Sequence, residues 1–499
     1  MLKNIFFSEF YNLLFWLSVL LFVPISILFL ECTLALVPDQ KKKSDNLPNS
    51  RPNVAILMPA HNEKQVIRQT LRALTPQLTA QDRLVVIADN CTDNTAELAR
   101  EFTADVIERN DRTKIGKGFA LDYGLRFLES NPPEVVVLVD ADCIVQPNSI
   151  NRLAQQVIAT NQPAQAIYLM EKSAKSSPKS LISALAFKIK NLVRPSGLNK
   201  LGLPCLLTGT GMAFPWSIIS NAPLASNNIV EDMQLGIDLA IAGRPPLLCS
   251  EALVTGVLPE VETAANTQKM RWIHGHLQTL VTQVPRLAKA AFLQRRLDLG
   301  AVALDLCVPP ISLLVMAWAF LAALGSILAI VRGDWNVVLI SAIEGLMIFV
   351  AVIGAWAKFA QEDISLKTLL SIPLYIFWKI PIFFAFLFKR QQVWVRTARD
   401  TQPAVPSLLS LSSQVIVSSE YISSETKDGS IVFQIKSGSY FGLNEIGTQI
   451  WKLIQETKSI ADIRDAIVSE YAVNSEVCLR DIMVILNQLA SQKLIEVRN

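Results

Sequence analysis

Hydrophobic and polar positions divide the chain into three kinds of stretch. The first kind is a long, nearly uncharged apolar run. Residues 13–30 make one of 18 residues, just enough to cross a bilayer as a helix. Residues 306–331 and 335–357 are two more, joined by Arg332-Gly333-Asp334, a linker short enough to predict a helical hairpin. A fourth run, residues 371–388, is interrupted by Pro373, Lys379 and Pro381 and followed by Lys389, Arg390, Arg396 and Arg399. If it spanned, that basic segment would lie outside, against the positive-inside rule, so it reads as interfacial or re-entrant. Glu344, midway along the third run, is expected to pack inside the bundle or to face water there.

The second kind of stretch alternates short apolar runs with amphipathic ones. Residues 54–58, 83–88, 104–107 and 135–139 read as strands, and 63–74, 94–102 and 117–128 as helices. Such repetition predicts an α/β domain, a parallel sheet with helices on both faces. The third kind is compositional: residues 398–413 are rich in Pro and Ser and read as a linker. Beyond it, 414–417, 430–435 and 440–443 are strand-like, with Lys436-Ser437-Gly438-Ser439 as a hairpin turn. Three helices should follow, presenting Ile446, Ile450, Trp451 and Ile454, then Ile460, Ile463 and Ile467, then Leu479, Ile482, Leu486 and Leu489. Asn444 and Ser459 are placed to cap the first two. That order, a hairpin then three helices, suggests a winged-helix-like module. The expected organisation is an anchor over 1–40, an α/β domain over 50–295, a hairpin and interfacial segment over 300–400, and the module over 414–499.

Composition narrows this picture. At 499 residues and 51% hydrophobic, the chain is too long for one domain and too apolar for a purely soluble protein. Its formal charge of +3 makes no case for nucleic-acid binding. Seven scattered cysteines with no Cys-x-x-Cys argue for reduced thiols in a cytosolic compartment, not for disulfides or zinc. His274 and His276, two apart on a helix, do not share a face. A signal peptide is the rival reading of the first run. The weak flank of Lys3 against Glu9, and Lys41-Lys42-Lys43 after the run, favour an anchor whose C-terminal flank is cytoplasmic.

Chemistry collects at the strand ends. Asp140 and Asp142 follow the valine-rich strand one residue apart, so an extended backbone points both carboxylates the same way. Ligand sites of open α/β sheets lie off the carboxyl ends of the strands, and hard oxygen pairs there suit a hydrated divalent cation with phosphates. Asp89 ends the second strand in the same manner. Asn62, Asp93 and Asn94 are also explained as helix caps. Asp232, in the first turn of a helix, equally suits the dipole.

Pro59-Ala60-His61-Asn62-Glu63, Ile87-Ala88-Asp89-Asn90-Cys91-Thr92-Asp93-Asn94-Thr95, the helix start Lys117-Gly118-Phe119-Ala120-Leu121 and Asp140-Ala141-Asp142 together resemble the family 2 glycosyltransferases. The order continues with Gly209-Thr210-Gly211-Met212-Ala213-Phe214, similar to the acceptor-side segment, and Glu231-Asp232, similar to the catalytic-base motif. Gln268-Lys269-Met270-Arg271-Trp272 is similar to the Gln-x-x-Arg-Trp pattern of cellulose and hyaluronan synthases. The resemblance covers about residues 50–400 and implies a Rossmann-like, GT-A type nucleotide-sugar-binding domain. It implies Asp140 and Asp142 for Mg²⁺ or Mn²⁺, the second above all, and Asp89 for the nucleoside. Asp232 would be the base, with Lys117, Asp140 and Arg271 on the donor and Trp272 stacking on donor or acceptor. His61 and Cys91 need no chemical role. His274 and His276 stand where many members carry a basic residue, which departs from the pattern.

Tyr440-Phe441-Gly442-Leu443-Asn444-Glu445-Ile446-Gly447, with Ile450-Trp451, resembles the PqqD-like family, which binds leader peptides by adding them to a sheet edge. The resulting expectation is an inverting glycosyltransferase of the cytoplasmic membrane, with its catalytic and C-terminal domains cytoplasmic. It would move sugar from a nucleoside-diphosphate donor to a lipid or glycan acceptor in polysaccharide or glycoconjugate synthesis. Two alternatives stay open: a non-enzymatic membrane scaffold recruiting a peptide, and a peptide or protein glycosyltransferase guided by the PqqD-like module.

Overall fold

The computed structural model describes residues 2–38, 51–171, 178–225, 230–257, 262–372, 375, 413–418, 421–426, 429–434, 439–443, 445–471, 475, 478, 479, 482, 483, 485, 486, 489 and 494–498. Most of the fourth apolar run, its basic flank, the Lys41-Lys42-Lys43 triplet, the Pro/Ser linker up to residue 412, Asn444 and turn residues 436–438 lie outside them. The chain falls into two compact units, Met1–Thr397 and Ala398–Asn499.

The first unit begins with α1 (Leu2–Leu36), which extends the predicted run at both ends. Among the described residues, three helical segments are long and apolar enough to cross a membrane: Glu9–Leu36 within α1, α12 (Ile311–Arg332) and α13 (Asn336–Phe359). The second begins later than its apolar run because Pro309 and Pro310 separate it from α11 (Leu297–Cys307). Trp16, Leu20, Phe320, Ile330 and Leu346 are exposed on these helices, while Ile25, Leu28 and Ile348 pack inward. Glu344 is fully buried, and neither carboxylate oxygen has a hydrogen-bond partner among the described residues.

Between α1 and α11 lies an eight-stranded sheet: β1 (Val54–Ala60), β2 (Arg83–Asp89), β3 (Asp105–Arg109), β4 (Val135–Leu138), β5 (Cys143–Val145), β6 (Ala164–Glu171), β7 (Met212–Pro215) and β8 (Leu247–Val257). Their order is β3-β2-β1-β4-β7-β6-β8-β5. The first four strands are parallel, as the βαβ pattern predicts. The later half is mixed: β7 runs antiparallel to β4 and β6, and β5 antiparallel to β8, while β6 and β8 are parallel. Continuous apolar runs follow from burial on both faces. Val54, Ile56, Met58, Val135 and Val137 join one core, and Ala55, Leu57, Val136 and Leu138 the other.

This topology positions the chemistry. Leu138 at the end of β4 pairs with Met212 at the start of β7. The segment before β7 therefore lies beside the turn that follows β4. A helical segment, α6 (Pro178–Lys188), one π turn (Ile189–Val193) and α7 (Arg194–Lys200), is inserted between β6 and β7. Leu185, Ile189 and Val193 on it share a core with Ile25 and Leu28 of α1 and Ile348 of α13.

Among its described residues the second unit holds two three-stranded sheets. One is an antiparallel meander of Tyr421–Thr426, Gly429–Gln434 and Ser439–Leu443. In the other, Gln414–Val417 lies between Lys458–Ser459 and Ile495–Arg498. The expected hairpin is thus two of the meander's three strands, with Tyr421–Thr426 added on the other side of Gly429–Gln434. Helices Glu445–Leu453 and Ile460–Tyr471 supply Ile450, Trp451, Ile460, Ile463 and Ile467 to one core, joined by Ile482, Leu486 and Leu489.

Candidate functional site

The turn after β4 is fastened from both sides. The Thr210 hydroxyl accepts from the Asp140 N–H (3.1 Å), and the Thr70 hydroxyl donates to the Ala141 carbonyl (2.8 Å) in a buried contact. Ligand atoms of Asp140, Asp142 and Cys143 lie within 4.8 Å of one another. Burial, with the two carboxylates beside it, pushes the Cys143 thiol well above its ordinary range, so it stays protonated. The two carboxylates remain as hard oxygen donors, a pair that fits Mg²⁺ or Mn²⁺ better than a thiophilic ion.

Lys117 opens α4 (Lys117–Leu128) and spans the gap to the loop before β7. Its ammonium is ion-paired with Asp140 and donates to the Gly209 carbonyl (2.6 Å). Burial opposes this charge, but Asp140 and Glu231 outweigh it and hold the Lys117 pKa above its ordinary value. Gly209 has φ +95°, and a Cβ there would stand 3.2 Å from Asp232 Oδ2. Glycine lets the loop turn while Asp232 comes close. Asp232 and Glu231 occupy the first turn of α9 (Glu231–Ile241). Burial and the adjacent Asp232 push the Glu231 carboxyl up to about 7, against the pull of Lys117.

The remaining wall comes from α10 (Glu262–Gln294), where Gln268, Trp272 and His276 recur every four residues. Trp272 packs on Phe187 of α6, ring centroids 5.5 Å apart, and Phe187 meets Tyr168 of β6 edge-on at 5.3 Å. Arg271 has no hydrogen bond or ion pair among the described residues. His276 Nε2 lies 3.1 Å from the Val308 carbonyl, and burial beside Lys190 and Arg194 pulls its pKa down to about 3.

Of the residues singled out in the sequence, Lys117, Asp140, Asp142, Asp232, Arg271 and Trp272 line one cavity of about 290 Å³. Asp89 does not line it. It ends β2 directly opposite Arg109 on β3, and their 2.6 Å ion pair is buried. Burial pushes the Asp89 carboxyl up while Arg109 draws it down, and the first effect prevails. Asn62 does not cap a helix; its side-chain oxygen accepts from Thr92 N (2.7 Å) and so ties the loops after β1 and β2 together. Asp93 accepts from Thr95 N at 3.0 Å from one residue before the N-cap of the helix Thr95–Arg100, and the N-cap residue, Asn94, makes no side-chain capping bond.

The sequence reading missed one wall. Ser183, Phe187, Lys190, Asn191 and Arg194 face the cavity from the inserted helical segment. Their helical spacing was the available signal, but the segment alternates cavity-facing polar and bundle-facing apolar residues and matches no catalytic motif. Arg194 is held by Glu31 of α1 (2.5 Å) and by Asp305 of α11 (2.5 Å), both buried.

Residues 52–275 match the family described as "Glycosyltransferase like family 2", and residues 429–495 match "Coenzyme PQQ synthesis protein D (PqqD)". A Bacillus subtilis (strain 168) protein named "Probable glycosyltransferase YdaM" is 40% identical over 99 residues, covering 18% of this chain and 23% of the relative. A 4,4'-diaponeurosporenoate glycosyltransferase of Staphylococcus haemolyticus (strain JCSC1435) is 24% identical over 211 residues, 40% of this chain and 53% of that protein. The chain thus spans at most about half the length of these curated relatives. Among solved structures, the mannosyltransferase PcManGT of Pyrobaculum calidifontis, in complex with GDP-Man and Mn²⁺, aligns with a TM-score of 0.44 at 18% identity. That alignment covers 70% of this chain and all of that one. TbiB1 in complex with the TbiA(beta) leader peptide is 34% identical over 16% of this chain and 94% of its own, with a TM-score of 0.16. Residues 52–275 are therefore a domain of the glycosyltransferase family 2 type, carried in one chain with a PqqD-like domain at residues 429–495.

Proposed function

We propose that the chain is a membrane-anchored, metal-dependent inverting glycosyltransferase that takes sugar from a nucleoside-diphosphate donor to a membrane-proximal lipid or glycan acceptor. One observation carries this reading: two carboxylates at a strand end, a lysine, a further carboxylate on a helix start and an Arg-Trp pair meet in a single cavity. Asp140 and Asp142 would hold Mg²⁺ or Mn²⁺, which when bound offsets charge developing on the leaving diphosphate. Arg271 offers planar, multiple donors to the same diphosphate, and Lys117 a second cation beside it. Trp272 presents a flat face to sugar or base, and Asp89, outside the cavity at the end of β2 and paired with Arg109, would meet the nucleoside end. Asp232 takes the proton of the acceptor hydroxyl as its oxygen bonds to the anomeric carbon opposite the departing nucleoside diphosphate, inverting that carbon. The helices α1, α12 and α13 anchor the unit, with catalytic and C-terminal parts in the cytoplasm.

Membranes carrying the wild type should hydrolyse or transfer from a nucleotide sugar when Mg²⁺ or Mn²⁺ is added. Asp232→Asn, isosteric but not basic, should lower that rate at least about 100-fold. Equal rates for the two proteins would defeat the assignment of Asp232. The PqqD match favours a second reading of the acceptor, a peptide brought by its leader to the C-terminal domain. A peptide that shifts the C-terminal domain's melting and becomes glycosylated would establish it.

A further inference from the structure

We infer that Lys190 is an acceptor-recognition residue, its ammonium receiving a phosphate or carboxylate group carried by an amphiphilic acceptor. This deepens the transferase reading above and rests on it. Lys190 lies in the π turn between α6 and α7, on the face shared by Phe187, Asn191 and Arg194, and lines the reaction cavity. Such turns give up regular hydrogen bonding and tend to occur where a helix serves a site. The opposite face of the segment, Leu185, Ile189 and Val193, is packed into the core with α1 and α13. Lys190 is therefore held on the cavity side of a helix wedged between cavity and bundle.

Two neighbouring cations are already compensated. Lys117 has Asp140 and the Gly209 carbonyl, and Arg194 has Glu31 and Asp305. Lys190 makes no hydrogen bond or ion pair among the described residues. Lys190 is half-buried on the cavity side, and burial pulls its pKa below the ordinary lysine value although Asp232 and Asp305 draw it up. An ammonium facing a partly desolvated cavity gains most from an anion that enters that cavity.

The surrounding charges indicate the side from which that anion comes. Lys190 feels Asp232, Arg194 and Asp305, whereas Asp140 feels Lys117, Asp142 and Asp232. Asp232 is common to both sets, while neither Asp140 nor Asp142 is among the charges that Lys190 feels. The donor diphosphate belongs with Asp140 and Asp142, so an anion met by Lys190 beside the base belongs to the acceptor. The cavity is also walled by Ile273, Val308, Pro310 and Ile311, the last opening the membrane-length α12. An anionic head with an apolar body matches that combination.

The test is binding, with no turnover needed. Purified full-length protein in phosphatidylcholine nanodiscs is titrated with decyl phosphate and with 1-decanol, and separately with UDP and GDP plus Mn²⁺. Wild type should bind decyl phosphate about tenfold more tightly than 1-decanol, the worth of one charge-assisted hydrogen bond. Lys190→Met should abolish that preference and Lys190→Arg should keep it, while binding of the nucleoside diphosphate stays within about twofold in both, which also reports that the variants are folded. No preference in the wild type would overturn the inference. So would a Lys190→Met protein that loses nucleoside diphosphate binding yet keeps the preference, since the lysine would then serve the donor. Equal hydrolysis by wild type and Asp232→Asn would defeat the transferase mechanism separately, because the decyl phosphate preference is read without it.

Discussion

Glu231 and Asp232 are adjacent acids in one helical turn, and their surroundings divide their roles. Burial and the neighbouring Asp232 raise Glu231 to about 7 from an ordinary value near 4.5. Between those values the unfolded chain releases the proton that the folded chain keeps, so its contribution to stability falls as pH rises and is lost above about 7. The amount is on the order of 2 to 3 kcal/mol, discounted for partial exposure. His276 acts in the opposite sense. Held near 3 by burial and by Lys190 and Arg194, it stays neutral while the unfolded chain takes up a proton below about 6.5, so its contribution is lost toward acid. Glu231→Gln should therefore melt close to the wild type at pH 4.5 and several degrees above it at pH 8. A pH-independent difference between the two melting curves would contradict a neutral Glu231. At this scale much of the site was legible, because Asp140, Asp142, Asp232 and Arg271 sit in short motifs whose chemistry is local. The Asp89–Arg109 pair was not, since it depends on the register of β2 against β3, which no motif encodes.

Elements show where sequence pattern stops being sufficient. Strands β1 to β4 were readable because each is a short apolar run ending in polar residues. The mixed half of the sheet was not, because its pairings join strands far apart in the chain, β4 with β7 and β5 with β8. The helical insertion between β6 and β7 carries a close helix crossing. A Cβ on Gly197 would stand 2.0 Å from the Glu31 carbonyl oxygen of α1. Close approach of these backbones lets Arg194 reach Glu31 on one side and Asp305 on the other. Gly197→Ala must push α7 off α1 and strain a buried ion triad, at a cost of at least about 3 kcal/mol. Gly300→Ala is the control: nothing lies within 4 Å of its Cβ, and alanine suits the interior of α11 better. Comparing the melting of the two variants in detergent checks the argument. A mild effect at Gly197 would mean that α1 is not fixed to the cavity wall.

On the scale of the whole molecule, the chain joins two units with separate cores. Periodicity exposed the helices of the second unit, whereas Tyr421–Thr426 and Ile495–Arg498 escaped notice because each is short and lacks an apolar run. Trp451 centres that unit's core: it is 3% exposed, and the Tyr421 ring meets it edge-on at 5.0 Å. Trp451→Ala should remove about 3 to 5 kcal/mol from the second unit, enough to unfold or nearly unfold a domain of this size. Two cores predict two thermal transitions, of which only the one belonging to the second unit should move. Donor hydrolysis by the same variant, measured below the first unit's transition, should stay within about twofold of the wild type, because every residue assigned to that chemistry lies in the first unit. The two measurements have to be made on one preparation. A shifted second-unit transition with unchanged hydrolysis separates peptide recruitment from sugar transfer. Hydrolysis falling in step with the Trp451 transition would instead make the PqqD-like domain part of the catalytic apparatus.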